Sequence, residues 1–339
     1  MSNSAEEGKK QTSDIDFVII WVDGSDPAWR AERAKYEQTK CDSDETRYRD
    51  WGILKYWFRA VEKYASWVRK IHLVTNGQKP EWLDLSNKKL SFVKHTDFIP
   101  QKYLPTFSSH TIELNLHRIR GLSDKFVYFN DDMYLNKPVA PYDFFYNNIP
   151  CDCAVLSTIK IERSGISSIV LNNLKIINDR FSFRESFKLN KLKWFNLKYG
   201  KHIFRTLLLF PWQYFVGFYE MHIPYSYKKD IFEEVWNEEG EILNRTCLHK
   251  FRNDSDVNQW LMRYWILAKG TFRPRSVNIG KLFFINDSAM ELCDEIINHR
   301  HKMFCISDSN AIKDFENCKK EIKRAFESQY PRKSSFELR

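Results

Sequence analysis

The 339-residue chain carries 53 Lys and Arg against 44 Asp and Glu, 43% hydrophobic residues, 16% aromatics and only 11 Gly. That supply of apolar side chains builds a packed interior and excludes a disordered or low-complexity chain, and the length suits one main core with an accessory part. The formal charge of +9 attracts anions, but from Arg180 to Arg205 eight basic residues face the single acid Glu185, so the excess is a local patch and not the chain-wide basicity of a nucleic-acid binder.

Met1 to Lys10 lacks the apolar run that a signal peptide needs, which predicts a disordered lead-in over residues 1–13 and a cytoplasmic location. Ile15 to Val22 (IDFVIIWV) reads as a buried first strand stopping at the turn formers Asp23-Gly24-Ser25-Asp26-Pro27. Arg47 to Trp67 places Leu54, Phe58, Val61 and Ala65 at helical spacing and predicts a crossover helix. Strands follow at 70–75, ending at Asn76-Gly77, at 90–94, and at 125–130, with a helix at 109–122 before the last. Alternating strands and helices imply a largely parallel sheet covered on both faces, and such sheets bind ligands at the carboxyl ends of their strands.

After Phe145 the alternation is lost, and the aromatic and basic stretch 172–215 reads as an insertion or lid. A helical pattern resumes from His222 through Trp236 and again over 257–267. The longest apolar stretch, Thr206 to Tyr219, contains Pro211 and Gln213 and is too short to span a bilayer, which takes about 20 helical residues. Seven cysteines, with only Cys151 and Cys153 adjacent in a C-x-C spacing, predict free thiols and not a zinc site.

Three strands end in polar chemistry. Asn130-Asp131-Asp132 puts two carboxylates where a buried strand meets solvent, costly for like charges unless a cation joins them, and hard oxygen ligands select Mg²⁺ or Mn²⁺. An Asn-Asp turn or helix cap would use the same residues. Asp23 and Gly24 close the first strand, where a nucleotide base or ribose could bond or a plain turn could form. Arg49, with Arg47 and Asp50, either clamps a phosphate or pairs with an acid. His110, Glu113, His117 and Arg120 share one polar helix face suited to substrate contact or to solvent. His222, just after the insertion, is a candidate base, and Arg252 opens a polar segment with Asn253, Asp254 and Asp256. Phe283 to Asp287 repeats the apolar-to-Asn-Asp pattern and adds Asp287 as a possible metal ligand.

Together Asp16 to Pro27 (DFVIIWVDGSDP), Arg47 to Phe145 with RYRDWGILKYWFRAVEKYA, LPTFSSHTIELNLHRI and FVYFNDDMYL, His222 to Asp256, and Ile285-Asn286-Asp287 resemble the Stealth family of sugar-1-phosphate transferases, over roughly half the chain. The resemblance implies an α/β core similar to nucleotide-sugar glycosyltransferases (GT-A-like) with an inserted helical, aromatic-basic segment. It implies Mg²⁺ (or Mn²⁺), a UDP-sugar donor, a capsular or surface polysaccharide acceptor, and release of nucleoside monophosphate. Carried over by position, Asp23, Asn76 and Gly77 belong to the donor pocket, Asp131, Asp132 and Asp287 to the metal, and His222 and Arg252 to the reacting phosphate, with His222 or one of the Asp131-Asp132 pair taking the acceptor proton; Gly24, Arg49, His110 and Arg118 are the further expected substrate or nucleotide contacts. The expected organisation is a lead-in at 1–13, a nucleotide-sugar-binding core at 14–150, an accessory segment for acceptor or membrane contact at 151–220, completion of the core at 221–310, and a basic C-terminal helix or tail at 311–339. An ordinary glycosyltransferase releasing nucleoside diphosphate, or a non-catalytic binder of anionic polymer, would share many of these features. Peripheral contact with the inner face of an anionic membrane is a further expectation, from the basic patch.

Overall fold

A computed structural model describes residues 14–37, 48–163, 165–285, 288–308 and 312–339. The first half runs β1 (Ile15–Ile20), α1 (Pro27–Tyr36), α2 (Leu54–Tyr64), β2 (Ile71–Thr75), β3 (Leu90–Lys94), α3 (Ser109–Leu114) and β4 (Lys125–Phe129). The chain continues through β5 (Met133–Leu135), α4 (Pro141–Phe144), β6 (Phe145–Tyr146) and β7 (Ile149–Asp152) into three helices, α5 (Ser167–Arg180), α6 (Phe183–Trp194) and α7 (Ile203–Leu209). It closes with β8 (Tyr225–Lys228), α8 (Lys229–Leu248), α9 (Trp260–Lys269), β9 (Arg273–Pro274), β10 (Gly280–Phe284), α10 (Met290–Asn298), β11 (Met303–Ser307) and α11 (Phe315–Gln329).

The principal sheet has the order β3-β2-β1-β4-β8; the first four strands are parallel and β8 is antiparallel to β4. Two small sheets, β10-β11-β5 and β6-β7-β9, are also mixed, so the fold is α/β with parallel and antiparallel pairing. Every residue of β1 is buried, as expected of a strand covered on both faces. One of them is the acid Asp16, which accepts from Arg69 Nε at 2.8 Å and the Ser123 amide at 2.8 Å and pairs with buried His72 Nε2 at 2.9 Å. Burial raises its pKa, but bonds from His72, Arg69 and Ser123 outweigh that and hold the carboxyl below its ordinary value.

Several boundaries depart from the sequence reading. The turn at Asp23 to Pro27 opens a helix: Asp26 caps α1 by accepting from the Ala28 amide, and Pro27 supplies a preset φ at its first position. The crossover helix starts at Leu54 and not at Arg47, because Asp50 accepts from the amide of Gly52, whose φ of +64° makes a turn there. The helix at 109–122 ends at Leu114, since the buried Asn115 side chain takes the Thr111 carbonyl that a continuing helix would use, and a 3-10 turn follows at Leu116–Arg118. The helical pattern after His222 begins as β8, where Tyr225 and Tyr227 are buried at the sheet edge. The 172–215 insertion is helical, packed on α9 through Ser186 Oγ donating to the Ala268 carbonyl at 2.6 Å.

One apolar cluster runs from Ile15 to Phe336 and includes Trp194 and Phe187 of the insertion. The C-terminal segment is docked: Phe326 stacks on Tyr56 with ring centroids 5.3 Å apart, and buried Arg59 donates to both Glu337 oxygens at 2.7 and 2.6 Å.

Candidate active site

A cavity of about 770 Å³ lies at the carboxyl edge of the principal sheet. Ile20, Trp21 and Val22 at the end of β1, Asn76 after β2 and Asn130, Asp131 and Asp132 after β4 line it, so three parallel strands end on one space and two of them bring polar side chains to it. Arg49, Asp50, His110, His222 and Arg252 also line it, bringing most of the expected site residues together.

The Asp131-Asp132 turn is fixed on three sides. Met133 N–H donates to the Asn130 carbonyl at 3.1 Å, Tyr134 Oη to the Asp131 carbonyl at 3.0 Å, and Ile306 N–H to the Asp132 carbonyl at 2.9 Å. Pairing of β5 with β11 in the register Cys305↔Met133 thus anchors the turn to a strand that sequence reasoning missed. The concave wall around the solvent-exposed Asp131 side chain, then the charges of Asp132 and Asp50, raise its carboxyl above the ordinary value.

His222 Nε2 lies 3.5 Å from Asp132 Oδ2. Burial pulls the imidazole pKa down, but the bond and charge of Asp132, with Glu220 and Glu113 behind, outweigh that and hold it above its ordinary value. The His222 backbone has φ +48°, a left-handed conformation that a non-glycine residue holds only when its surroundings impose it. Those surroundings are Glu220, which accepts from the His222 amide, and fully buried Arg263, which binds Glu220 at 3.0 Å and Asp152 of β7 at 2.8 Å. The Tyr219 carbonyl accepts from the same guanidinium at 3.3 Å, so one arginine braces the whole approach to His222.

Arg252, also in the lining, donates to Ser109 Oγ at 2.8 Å at the start of α3. His110 and Glu113 are buried and not on a solvated face: His110 Nδ1 meets Asp256 at 3.0 Å, and Glu113 accepts from Tyr128 Oη at 3.1 Å, which also bonds Asn130. The expected shared face stops there, because His117 and Arg120 fall beyond the helix. Arg49 stacks on Phe315 with its guanidinium carbon 4.6 Å from the ring centre, and its Nε is 3.6 Å from Asp308.

Four expected residues do not line the cavity. Asp23 accepts from Ser25 N–H at 2.8 Å and holds the turn before α1, while Gln78 bridges it to the β2 end by accepting from its amide at 2.9 Å. Gly24 packs so closely that a Cβ would lie 2.1 Å from the Tyr48 carbonyl oxygen, and Gly77 turns the chain at φ +117°. Arg118 is exposed and lies over Trp236 at 5.0 Å. Asp287 lies outside the described residues. Conversely, Asp308 and Glu220 line the cavity without having been singled out, although each stood beside a legible signal: the strand-like FCIS run and the histidine of YEMHIP.

The donor set fits a cation. Asp132, His222 and Cys305 bring ligand atoms within 4.8 Å of one another, and Asp132 Oδ1 is buried with no hydrogen-bond partner. Burial, then the charge of Asp132, holds Cys305 as a neutral thiol, so the hard carboxylate oxygens of the Asp131-Asp132 turn are the better ligands.

A mixed, mostly parallel sheet with Asn76 and the Asp131-Asp132 turn at its strand ends, and with Arg49, Arg252 and a braced His222 brought by loops to the same cavity, has the form of an α/β enzyme active site. Comparison with known proteins gives the particular kind. Stealth protein CR1, conserved region 1, matches residues 13–41, and Stealth protein CR2, conserved region 2, matches residues 47–151. The chain is 44% identical over 332 residues to the capsular polysaccharide phosphotransferase WcwK of Streptococcus pneumoniae, covering 97% of this chain and 99% of that one. It is 42% identical over 326 residues to the exopolysaccharide phosphotransferase cps2G of Lactiplantibacillus plantarum, covering 96% of each. To the receptor polysaccharide phosphotransferase WefC of Streptococcus gordonii it is 40% identical over 331 residues, covering 96% and 99%. The chain belongs to the Stealth family of phosphotransferases.

Proposed function

We propose that the protein transfers a sugar-1-phosphate, foremost an N-acetylhexosamine-1-phosphate from a UDP-sugar, to a hydroxyl of a growing capsular or surface polysaccharide, releasing nucleoside monophosphate. The juxtaposition of His222 with Asp132 in the cavity lining carries the reading, supported by 44% and 42% identity over nearly the whole chain to polysaccharide phosphotransferases. The core is read as GT-A-like, with the donor across the β1, β2 and β4 ends and Asn76, Arg49 and His110 as its contacts.

His222 Nε2 takes the acceptor proton as the hydroxyl oxygen forms its bond to the sugar-bearing phosphorus. The bond from that phosphorus to the bridging oxygen breaks, and its electron pair leaves on the nucleoside monophosphate. Asp132 stabilises the imidazolium so formed, and the anomeric bond is untouched. Arg252 and Arg49 offset the charge spreading over the phosphoryl oxygens. Asp131 and Asp132, with Asp287, would hold Mg²⁺, which supplies charge neutralisation at the diphosphate.

The test is the identity of the released nucleotide when the protein is incubated with Mg²⁺, a panel of nucleotide sugars and an oligosaccharide primer. Nucleoside monophosphate is expected. Nucleoside diphosphate would replace this reading with transfer of the sugar alone.

A further inference from the structure

The inserted helices end in a surface with no partner in the fold. Among the described residues, nine of the 21 large hydrophobic side chains left exposed fall between Leu189 and Tyr214. Leu189, Leu192 and Leu197 are 80%, 84% and 90% exposed, and Leu208 of α7 is 72% exposed. The buried face of α6 is satisfied elsewhere: Phe183, Phe187 and Trp194 are in the core, with Phe187 stacked on Trp194 at 4.3 Å. Leu189 and Leu192 therefore stand on the face of α6 where a helix of a globular protein normally carries polar residues. Phe210 packs on Phe187 at 5.2 Å and on Phe195 at 6.0 Å, which joins α6, α7 and the turn after it into one body. An apolar face so concentrated marks an interaction surface.

Its charge identifies the occupant. Between Phe181 and Tyr219 seven Lys and Arg accompany the one acid Glu185. Lys188, Lys191 and Lys201 are exposed, and no carboxylate among the described residues pairs with them. A second copy of the same face would set like charges against each other, and a soluble anionic polymer would leave the leucines in water. An anionic bilayer satisfies both features, taking the apolar side chains below the headgroups and the lysines among the phosphates. No described helix is long and apolar enough to cross a membrane, so contact is with one leaflet.

We infer that the α6–α7 face docks on the surface of an anionic lipid bilayer. The same helix α7 turns Arg205 toward the cavity, where it bonds Ser157 Oγ at 2.8 Å, and leaves neighbouring Phe204 exposed. Docking thus brings the cavity close to the lipid surface. On the proposed transfer reaction, this fits an acceptor carried on a lipid.

The test is co-sedimentation of the full chain with phosphatidylcholine vesicles with and without phosphatidylglycerol, comparing wild type, L192S/L208S and K188Q/K191Q/K201Q, each checked for an unchanged melting temperature. Binding to the phosphatidylglycerol vesicles is expected, weakened at least about tenfold by the leucine pair and by the lysine triple variant. Trp212 emission should be quenched by brominated lipid, with the quenching lost in Trp212→Phe. Failure to bind either vesicle, or wild-type binding by L192S/L208S, would overturn the inference. So would a dimer on size exclusion dispersed by L192S/L208S, or dextran sulfate binding that competes fully with vesicles and ignores the leucines. Release of nucleoside monophosphate to a soluble primer should be unchanged in L192S/L208S. Loss of docking with that release intact removes the surface alone, and diphosphate release with docking intact removes the reaction alone.

Discussion

Asp132 divides its two oxygens between two tasks: one faces His222 at 3.5 Å and the other is buried without a hydrogen-bond partner. A side chain so placed contributes little to the fold and much to chemistry, because an unpaired buried carboxylate oxygen is a cost that a bound cation relieves. Asp132→Asn is expected to lower nucleotide release by at least about 100-fold with the melting temperature nearly unchanged. His222→Gln should lower it by about 100-fold to 10,000-fold, the usual range for a general base, with donor binding retained by titration calorimetry. Removing divalent ions with EDTA should abolish release, and added Mg²⁺ should restore it; full activity in EDTA would remove the metal from the site. The Asp131-Asp132 turn was legible because a continuous apolar run ended in adjacent acids. Glu220 was not, since its role depends on Arg263 and Asp152, which lie 43 and 68 positions away and meet it only in the fold.

Among the elements, β1 carries an internal charge that the sheet must satisfy. Asp16 is held below the ordinary carboxyl range by His72, Arg69 and the Ser123 amide despite burial. Its contribution is therefore complete above the unfolded carboxyl value of about 3.9 and is lost as pH falls through the lower folded value. Asp16→Asn should cost about 3 kcal/mol at pH 7, the lower end for breaking a buried pair since Arg69 is partly solvated. Urea unfolding at pH 7 and pH 3 checks this: the variant should lose less stability than wild type between them. Strands β1 to β4 could be read in advance because their apolar runs are local. By contrast, β5 is three residues long and β8 is four residues that run directly into α8, whose Ile231 to Trp236 pattern masked it, so both owe their state to the strand beside them.

Across the whole molecule, the core closes only with its C-terminal segment in place. Phe336 is buried, the Asp84 amide donates to its carbonyl at 2.8 Å, and Glu337 neutralises buried Arg59. Removing residues 330–339 should cost about 5 kcal/mol or more, from about 1.5–3 for the lost aromatic burial and about 3–5 for the stranded guanidinium. A truncated chain with an unchanged urea midpoint would show that the segment is an ornament. This dependence was invisible in the sequence, where residues 311–339 read as a basic helix or tail, because a pair separated by 278 positions leaves no local pattern.

That separation also orders the making of the protein. Arg59 leaves the ribosome 278 residues before its partner, so at about 5–20 residues per second α2 waits on the order of 14–56 s with its guanidinium still hydrated. Until Glu337 is synthesised, Arg59 on helix α2 has no carboxylate partner for burial, and the nascent chain is expected to remain more sensitive to protease than the finished one even when most of its strands have emerged.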